Sequence, residues 1–155
     1  MNKVKIDQYW QSYLGTLPSQ QKIDRSYLID QFGDSPALTN ELTGLVLNRV
    51  KTATCSALWE WEAEQSPLPK VGSKTVILDS AQNPACIVET TEIIVCPFNQ
   101  VDRKFAYDEG EDNRSLESWR REHWKYFSRV LPKIGKTPTP TMPLVCERFQ
   151  VLYSV

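Results

Sequence analysis

The sequence has very little histidine and no closely spaced cysteines. His123 is the only histidine in 155 residues, and the four cysteines, Cys55, Cys86, Cys96 and Cys146, form no C-x-x-C motif. A paired zinc site, a redox dithiol and a Ser-His-Asp triad therefore lack their usual residues. We expect no metal or other cofactor, and we interpret the cysteines as small buried apolar residues.

Long apolar runs and a large net charge are also missing. No run of 18 apolar residues occurs, and the N-terminal segment has neither the apolar core nor the small-residue cleavage site of a signal peptide. We therefore expect no membrane segment and a cytoplasmic protein. Eighteen Lys and Arg against nineteen Asp and Glu leave a net charge of -1. An anionic partner such as RNA would have to meet a local basic patch.

The hydrophobic pattern predicts both helices and strands. Helical spacing occurs at residues 6–14, from Ser35 to about Val50, at 100–108 and from Ser115 to the residue before Pro132; strand-like runs occur at 74–79, 86–95 and 144–153. This order predicts an α+β domain on a curved or closed, mostly antiparallel sheet, with the strand order left open. We interpret residues 1–155 as a single domain in which residues 1–31 are an N-terminal helical extension.

The segment Lys51-Thr52-Ala53-Thr54 places an ammonium and a hydroxyl three residues apart, where a predicted helix gives way to a strand. In an extended chain these side chains face opposite ways, so they meet only if a turn intervenes. Thr54 can be a nucleophile if Lys51 acts as its base, which requires a lowered lysine pKa. A lysine that stays charged would instead stabilise an oxyanion or bind a phosphate. The structural alternative is a solvated lysine beside a strand threonine.

Four acidic residues, Asp108, Glu109, Glu111 and Asp112, surround Gly110 just after a predicted helix. Negative charge at that end of a helix is unfavourable unless a cation approaches. An acid/base carboxylate, a counterion for Lys51 and a solvated loop are all compatible with this pattern.

Glu89 and two tryptophans are further candidates. Glu89 interrupts a strand that otherwise has a buried pattern, so it needs a cation or a cavity. Trp59 and Trp61 are suited to stacking on a nucleobase, although packing in a core is an equal alternative.

A basic stripe follows the last predicted helix. Arg121, Lys125 and Arg129 lie at i, i+4 and i+8, opposite its apolar face. Such a stripe can follow the phosphates of a nucleic acid, and a solvated helix face is the alternative.

Eight segments, taken in order, resemble the ASCH domain family. They are F-G-D-S-P (32–36), K-T-A-T-C-S (51–56), L-W-E-W-E (58–62), P-K-V-G (69–72), I-V-E-T-T-E (87–92), F-A-Y-D-E-G-E (105–111), S-L-E-S-W-R (115–120) and V-C-E-R-F (145–149). The resemblance runs from Phe32 to Tyr153 and favours the longer bacterial branch. It implies a PUA-like fold, a small, mostly antiparallel β-barrel flanked by helices and associated with RNA.

The resemblance also implies a function. One ASCH member hydrolyses N(4)-acetylcytidine with a Lys, Thr and Glu triad, which corresponds here to Lys51 as base, Thr54 as nucleophile and Glu109 as proton shuttle. Coactivator-type members tend to carry Glu where Thr54 stands. We therefore expect an amidohydrolase acting on an N-acylated, cytidine-like nucleoside or on RNA that carries it.

A substrate pocket is expected from Trp59, Trp61, Glu89 and Ser56. Two positions depart from the family pattern, because Arg49 replaces a common glycine and Ser56 replaces a common arginine. The alternatives are a ribonuclease that cleaves single-stranded RNA and a non-catalytic RNA-binding module that uses the Arg121, Lys125 and Arg129 stripe. The sequence does not define an oligomeric state.

Overall fold

The structure is a computed structural model that describes residues 1–19 and 24–155. Two compact units can be distinguished. The first comprises Met1–Arg49, Gly72–Glu89 and Gln150–Val155, and the second comprises Val50–Val71 and Thr90–Phe149. The predicted extension over residues 1–31 includes four residues, 20–23, that lie outside the described part.

The elements follow one another in the order α1 (Lys3–Leu14), β1 (Leu28–Asp30), α2 (Pro36–Leu47), β2 (Ala53–Ala57), α3 (Leu58–Ala63), β3 (Lys74–Leu78), β4 (Pro84–Pro97), α4 (Arg103–Glu109), α5 (Leu116–Val130) and β5 (Pro143–Ser154). Short 3₁₀ turns at Phe98–Gln100 and Leu131–Ile134 precede α4 and follow α5. None of the helices in the described residues is long and apolar enough to span a membrane.

The strands form one five-stranded sheet in the order β1-β3-β4-β5-β2. The pairs β3–β4 and β2–β5 are antiparallel, and the short β1 runs parallel to β3. The predicted α+β class with a mostly antiparallel sheet is confirmed, and the strand order is now defined.

Helix α2 begins at the predicted position and ends earlier than predicted. The Ser35 hydroxyl accepts the backbone N–H of Leu38, and Pro36 is the first helical residue of α2. The helix ends at Leu47, earlier than the predicted Val50, because Arg49 adopts a left-handed conformation with φ of 59°. Arg49 therefore takes the conformation for which glycine is the usual choice, although it carries a side chain.

Two elements were not predicted. Strand β1 has only three residues, too few to show an alternating pattern, and it is defined by its pairing with β3. Helix α3 begins directly after β2 and has six residues, among them Trp59 and Trp61, which are not strong helix formers.

Each unit has its own hydrophobic core. In the first unit, α1 buries Ile6, Trp10 and Tyr13 with side chains of β3 and β4. In the second unit, the core contains residues of β2, α4, α5 and β5 and of the segments between them: Ala53, Ala57, Phe98, Val101, Phe105, Ala106, Trp119, Phe127, Val130, Leu131, Met142, Leu144 and Cys146. The second core surrounds the charged residues described next.

Candidate functional site

A buried ion pair lies in the second unit. Lys51 Nζ is 3.2 Å from Glu109 Oε1, and both side chains are only 1% exposed. Lys51 Nζ also lies 2.9 Å from Glu111 Oε2, whose side chain is 25% exposed. The structure therefore joins two of the three predicted catalytic residues and adds a second carboxylate that is partly open to solvent.

Backbone contacts hold the ion pair in place. Lys51 lies just before β2, and the next residue, Thr52, donates its N–H to the Asp108 carbonyl oxygen at 2.8 Å. The Thr52 carbonyl accepts the N–H of Phe149 at 3.1 Å, which connects this segment to β5. Glu109 is the last residue of α4, so the Thr52–Asp108 bond brings it next to Lys51.

Gly110 permits the close approach of the two segments. Its φ is 74°, and a Cβ added there would lie 2.5 Å from the Val50 carbonyl oxygen and 2.9 Å from the Lys51 nitrogen. Any side chain at this position would overlap the backbone that carries Lys51, so the ion pair depends on glycine.

Helix α5 completes the surroundings of Glu109. His123 Nε2 is 2.9 Å from Glu109 Oε2, and the indole N–H of Trp119 donates to the same oxygen. His123 Nδ1 lies 2.8 Å from the Trp119 carbonyl oxygen one turn earlier, and the two rings are stacked with centroids 4.2 Å apart. The Glu109 carboxylate is thus surrounded by donors.

The hydrogen bonds of His123 indicate its protonation state. A backbone carbonyl accepts only, so Nδ1 must carry a proton. An ionised carboxylate also accepts only, so Nε2 must carry the second proton that lies between His123 and Glu109. Lys51 and His123 then balance Glu109 and Glu111, which gives a neutral cluster of four charged groups.

The electrostatics agree with this assignment. Burial alone would lower the pKa of Lys51, but the carboxylates of Glu109 and Glu111 outweigh it and raise that pKa. Burial would raise the pKa of Glu109, but Lys51, His123 and Trp119 together lower it to about 2. For His123 the effect of burial is likewise outweighed by Glu109, and its pKa is raised. The base role predicted for Lys51 required a lowered pKa; the structure gives the opposite, so Lys51 is a cation.

We expect His123 to be an imidazolium at pH 7, because its Nδ1 faces a carbonyl oxygen and its Nε2 faces the Glu109 carboxylate, which also raises its pKa. As the only histidine, it gives one unambiguous set of imidazole signals. Two-dimensional ¹H–¹⁵N spectra should show both ring nitrogens protonated at pH 7. A ring that titrates below pH 6.5 would contradict the assignment.

The pKa shifts of Glu109 and His123 also predict how the free energy of unfolding changes with pH. Glu109 has a lowered pKa, so its contribution is present above its ordinary 4.5 and is lost as the pH falls toward about 2. His123 has a raised pKa, so its contribution is present below 6.5 and is lost as the pH rises through the raised value. Urea unfolding at a series of pH values should place the largest contribution of this cluster between pH 4.5 and 6.5.

Thr54 is placed differently from Lys51 and Glu109. Along β2, Ala53, Cys55 and Ala57 face the core of the second unit, and Cys55 Sγ is 3.8 Å from Glu109 Oε2. Because side chains alternate along a strand, Thr54 and Ser56 face the opposite side. The predicted nucleophile therefore shares a face of β2 with Ser56.

The predicted pocket residues divide between these environments. The Trp61 indole N–H donates to the Ser56 hydroxyl at 2.8 Å, so these two residues lie on the Thr54 side of β2. Trp59 packs against the core of the second unit, with Lys136 Nζ 5.6 Å from its ring centroid. Trp61 and Ser56 are thus brought together, and Trp59 has a packing role.

Glu89 lies in the first unit. Its carboxylate is 3.3 Å from Lys74 Nζ and accepts a hydrogen bond from the Gln150 amide at 3.3 Å. The expectation that this carboxylate needs a cation is met by Lys74, its cross-strand neighbour.

The basic stripe on α5 contains its own counterion. Arg121 and Lys125 both pair with Glu122, at 3.3 and 3.4 Å, and Arg121 also approaches Asp112 at 3.7 Å. The guanidinium of Arg129 lies 5.6 Å from the Tyr126 ring centroid. The positive charge of this stripe is therefore partly neutralised on its own helix face.

The acidic cluster does not behave as one solvated loop. Asp108 pairs with Arg148 at 3.1 Å and with Lys104 at 3.3 Å, while Glu109 and Glu111 hold Lys51. The sequence left three interpretations of this cluster: an acid/base carboxylate, a counterion for Lys51 and a solvated loop. Glu109 and Glu111 are counterions for Lys51.

Three possible metal ligands also converge on this cluster. Ligand atoms of Cys55, Glu109 and His123 all lie within 4.8 Å of one another. These residue types suit Zn²⁺, but Glu109 Oε2 already accepts from Trp119 and His123, and burial raises the pKa of the Cys55 thiol. A metal ion would have to displace these protons and the Trp119 hydrogen bond, so the donor set fits a proton network better than a metal centre.

Sequence reasoning missed several residues of this site. His123 and Trp119 lie on the apolar face of α5, and their spacing of four residues is the local signal that both could reach one partner. Glu111 was one of four neighbouring acids, and nothing in its position distinguished it as the second partner of Lys51.

Comparisons with known proteins identify the fold. The family model of the ASCH domain matches residues 28–153. An ASCH domain structure from Lactobacillus crispatus JV V101 is similar with 30% identity and a TM-score of 0.90, over 99% of this chain and 96% of that chain. A protein from Enterococcus faecalis V583 is similar with 33% identity and a TM-score of 0.86, over 97% of this chain and 89% of that chain. No curated protein matches the sequence.

The family match covers the range of the resemblance seen in the sequence and includes every residue of the Lys51 cluster. Both structures share the fold over almost the full chain. The chain therefore belongs to the ASCH domain family.

Proposed function

We propose that this chain is a hydrolase that removes an acyl group from an N-acylated, cytidine-like nucleoside, free or within RNA. The observation that carries the proposal is the buried ammonium of Lys51, which two carboxylates keep charged near the start of the strand that bears Thr54. A fixed cation in a site of low dielectric is suited to stabilising an oxyanion. Family membership and the K-T-A-T segment supply the substrate class.

Lys51 would act as an electrophile in this proposal. Its ammonium is held by Glu111, the more exposed of the two carboxylates that surround it. Displacement of Glu111 by the substrate would turn the ammonium toward the acyl carbonyl oxygen, while Glu109 stays in place. The flexible four-carbon stem of lysine permits this movement.

Thr54 would supply the nucleophile. Thr54 faces the side of β2 opposite Glu109 and Cys55. For both side chains to contact one acylated base, the Lys51 ammonium would have to leave Glu111 and extend past the start of β2, about 10 Å of extended chain from Thr54. Trp61 and Ser56 lie on the Thr54 side and would contact the nucleobase. Glu109, which accepts a hydrogen bond from His123, would keep Lys51 charged during the reaction.

The test is release of acetate from N(4)-acetylcytidine and from short RNA that carries this base. The wild-type protein should release acetate, and Thr54→Val should lower kcat by about 100-fold or more, as expected when a nucleophile is removed. Thr91→Val, at an exposed threonine on β4, serves as the matched control and should leave the rate unchanged. Absence of acetate release by the wild-type protein from both substrates would reject the proposal.

The same incubations separate the alternative activities. Cleaved RNA without released acetate would indicate a ribonuclease, in which Lys51 stabilises the negatively charged phosphorane. Binding of RNA that weakens steeply with salt, without either product, would indicate a binding module. The paired charges of the α5 stripe do not favour that last outcome.

A further inference from the structure

Glu147 lies directly opposite Thr54 in the sheet. Strands β2 and β5 are antiparallel, and Thr54 is the register partner of Glu147. Side chains of directly opposed residues lie on the same face, with Cβ atoms about 4.5–5.5 Å apart. The carboxylate of Glu147 is therefore within reach of the Thr54 hydroxyl.

The Glu147 carboxylate is also held in position. The Thr90 hydroxyl donates a hydrogen bond to Glu147 Oε2, and Thr90 is only 1% exposed. Glu147 itself is half-buried, as is Thr54. A hydrogen bond from a buried neighbour orients the carboxylate, and partial burial leaves part of the residue exposed to solvent.

The residues named by the family triad do not provide a base for Thr54. Lys51 is a cation between two carboxylates and has no lone pair to accept a proton. Glu109 contacts Cys55, which faces the other side of β2. Glu147, the register partner of Thr54, is a carboxylate on the Thr54 side.

We propose that Glu147 is the general base that activates Thr54, an inference that rests on the proposed function. The Thr54 hydroxyl transfers its proton to Glu147 while its oxygen bonds to the acyl carbon. The C–N bond then breaks, and Glu147 passes that proton to the departing nucleobase nitrogen. This leaves an acyl ester on Thr54 and a neutral amine product.

Hydrolysis of the ester restores the enzyme. A water molecule gives one proton to Glu147 as its oxygen bonds to the acyl carbon. The ester bond to Thr54 breaks, and the proton on Glu147 returns to the Thr54 oxygen. The acid product leaves, and no oxidant, reductant or further reactant is needed.

The test compares Glu147→Gln with Glu92→Gln in the full chain. In Glu147→Gln the amide oxygen can still accept the hydrogen bond from the Thr90 hydroxyl. Glu92, a carboxylate on β4 that pairs with Arg148, is the matched control. Glu147→Gln should lower kcat for N(4)-acetylcytidine by about 100-fold or more and leave KM within about threefold, because general-base catalysis contributes about 10²–10⁴-fold. Glu92→Gln should keep the wild-type kcat, and Glu147→Asp, which retains a carboxylate, should be more active than Glu147→Gln.

A second readout does not depend on the nucleoside. p-Nitrophenyl acetate should transfer one acetyl group to Thr54, detected by mass spectrometry of the peptide that contains it. Glu147→Gln and Thr54→Val should both lose this label, and Glu92→Gln should keep it.

The two readouts distinguish failure of the inference from failure of the proposed function. If the wild-type protein leaves N(4)-acetylcytidine intact but labels Thr54 only when Glu147 is present, the proposed substrate is wrong and the Glu147 inference stands. If Glu147→Gln keeps the wild-type kcat and labelling, the inference is overturned while the function remains. Failure of the wild-type protein to acquire the label also overturns it.

Discussion

Replacing Lys51 with methionine should lower the free energy of unfolding by about 3–5 kcal/mol, because loss of one partner leaves a buried charge without compensation. Methionine has a similar length and fills the same space, so the change removes the cation and keeps the packing. Glu109, 1% exposed, would retain His123, Trp119 and the weaker Cys55 thiol as donors but would lose its ammonium partner. Urea unfolding at pH 7, followed by circular dichroism, measures this loss.

The matched control is Lys125→Met, which removes an exposed lysine paired with Glu122 on α5. Exposed ion pairs contribute about 0–1 kcal/mol, so this variant should be close to the wild-type protein. Lowering the pH toward about 5 should also recover part of the stability of Lys51→Met, because protonation of a carboxylate removes the uncompensated charge. A loss below about 1 kcal/mol, within the range of exposed pairs, would mean that Lys51 is not a buried cation.

Gly110→Ala should lower the free energy of unfolding by about 2–5 kcal/mol, because two costs combine. A left-handed backbone costs an alanine about 1–2 kcal/mol, and overpacking adds about 1–3 kcal/mol. The added Cβ would lie 2.5 Å from the Val50 carbonyl oxygen and 2.7 Å from its carbon, both backbone atoms that cannot rotate away. Because the displaced segment carries Lys51, acetate release should fall as well.

Gly135→Ala separates the two causes. Gly135 has the same φ of 74°, but no described atom lies within 4 Å of its added Cβ. This control should lose only the cost of the left-handed backbone, about 1–2 kcal/mol, and keep its activity. Equal losses in the two variants would show that the contact with Val50 does not constrain the site.

Local signals in the sequence were sufficient for helices α1, α2, α4 and α5 and for the longer strands. Ser35 and Pro36 define the start of α2, and Ser115 caps α5, because capping depends on neighbouring residues alone. Strand β1 could not be predicted, since three residues carry no period and its place depends on a parallel partner, β3, far along the chain.

The candidate site was predictable in part. Lys51 and Glu109 are 58 residues apart, so only the family resemblance joined them before the fold was known. The resemblance could not give the protonation state, which depends on Glu111, His123 and burial together. A lysine base is a reasonable prediction from sequence, but two carboxylates around the ammonium make it a cation.

The register between strands β2 and β5 places Glu147 opposite Thr54, which the spacing of these residues in the sequence does not predict. From the sequence, Glu147 only interrupts an apolar pattern, and Thr54 is only a hydroxyl near a lysine. Pairing of β2 with β5 places these two residues opposite each other, an effect of tertiary structure that no local pattern encodes.

The most direct test of the central claim, that Lys51 works as a cation, is acetate release from N(4)-acetylcytidine by Lys51→Arg compared with Lys51→Met. Arginine stays charged in proteins and cannot act as a base. If the charge is what matters, Lys51→Arg should stay within about tenfold of the wild-type kcat, while Lys51→Met should fall about 100-fold or more, the range seen when an oxyanion donor is removed. Equal inactivity of two folded variants would contradict the claim.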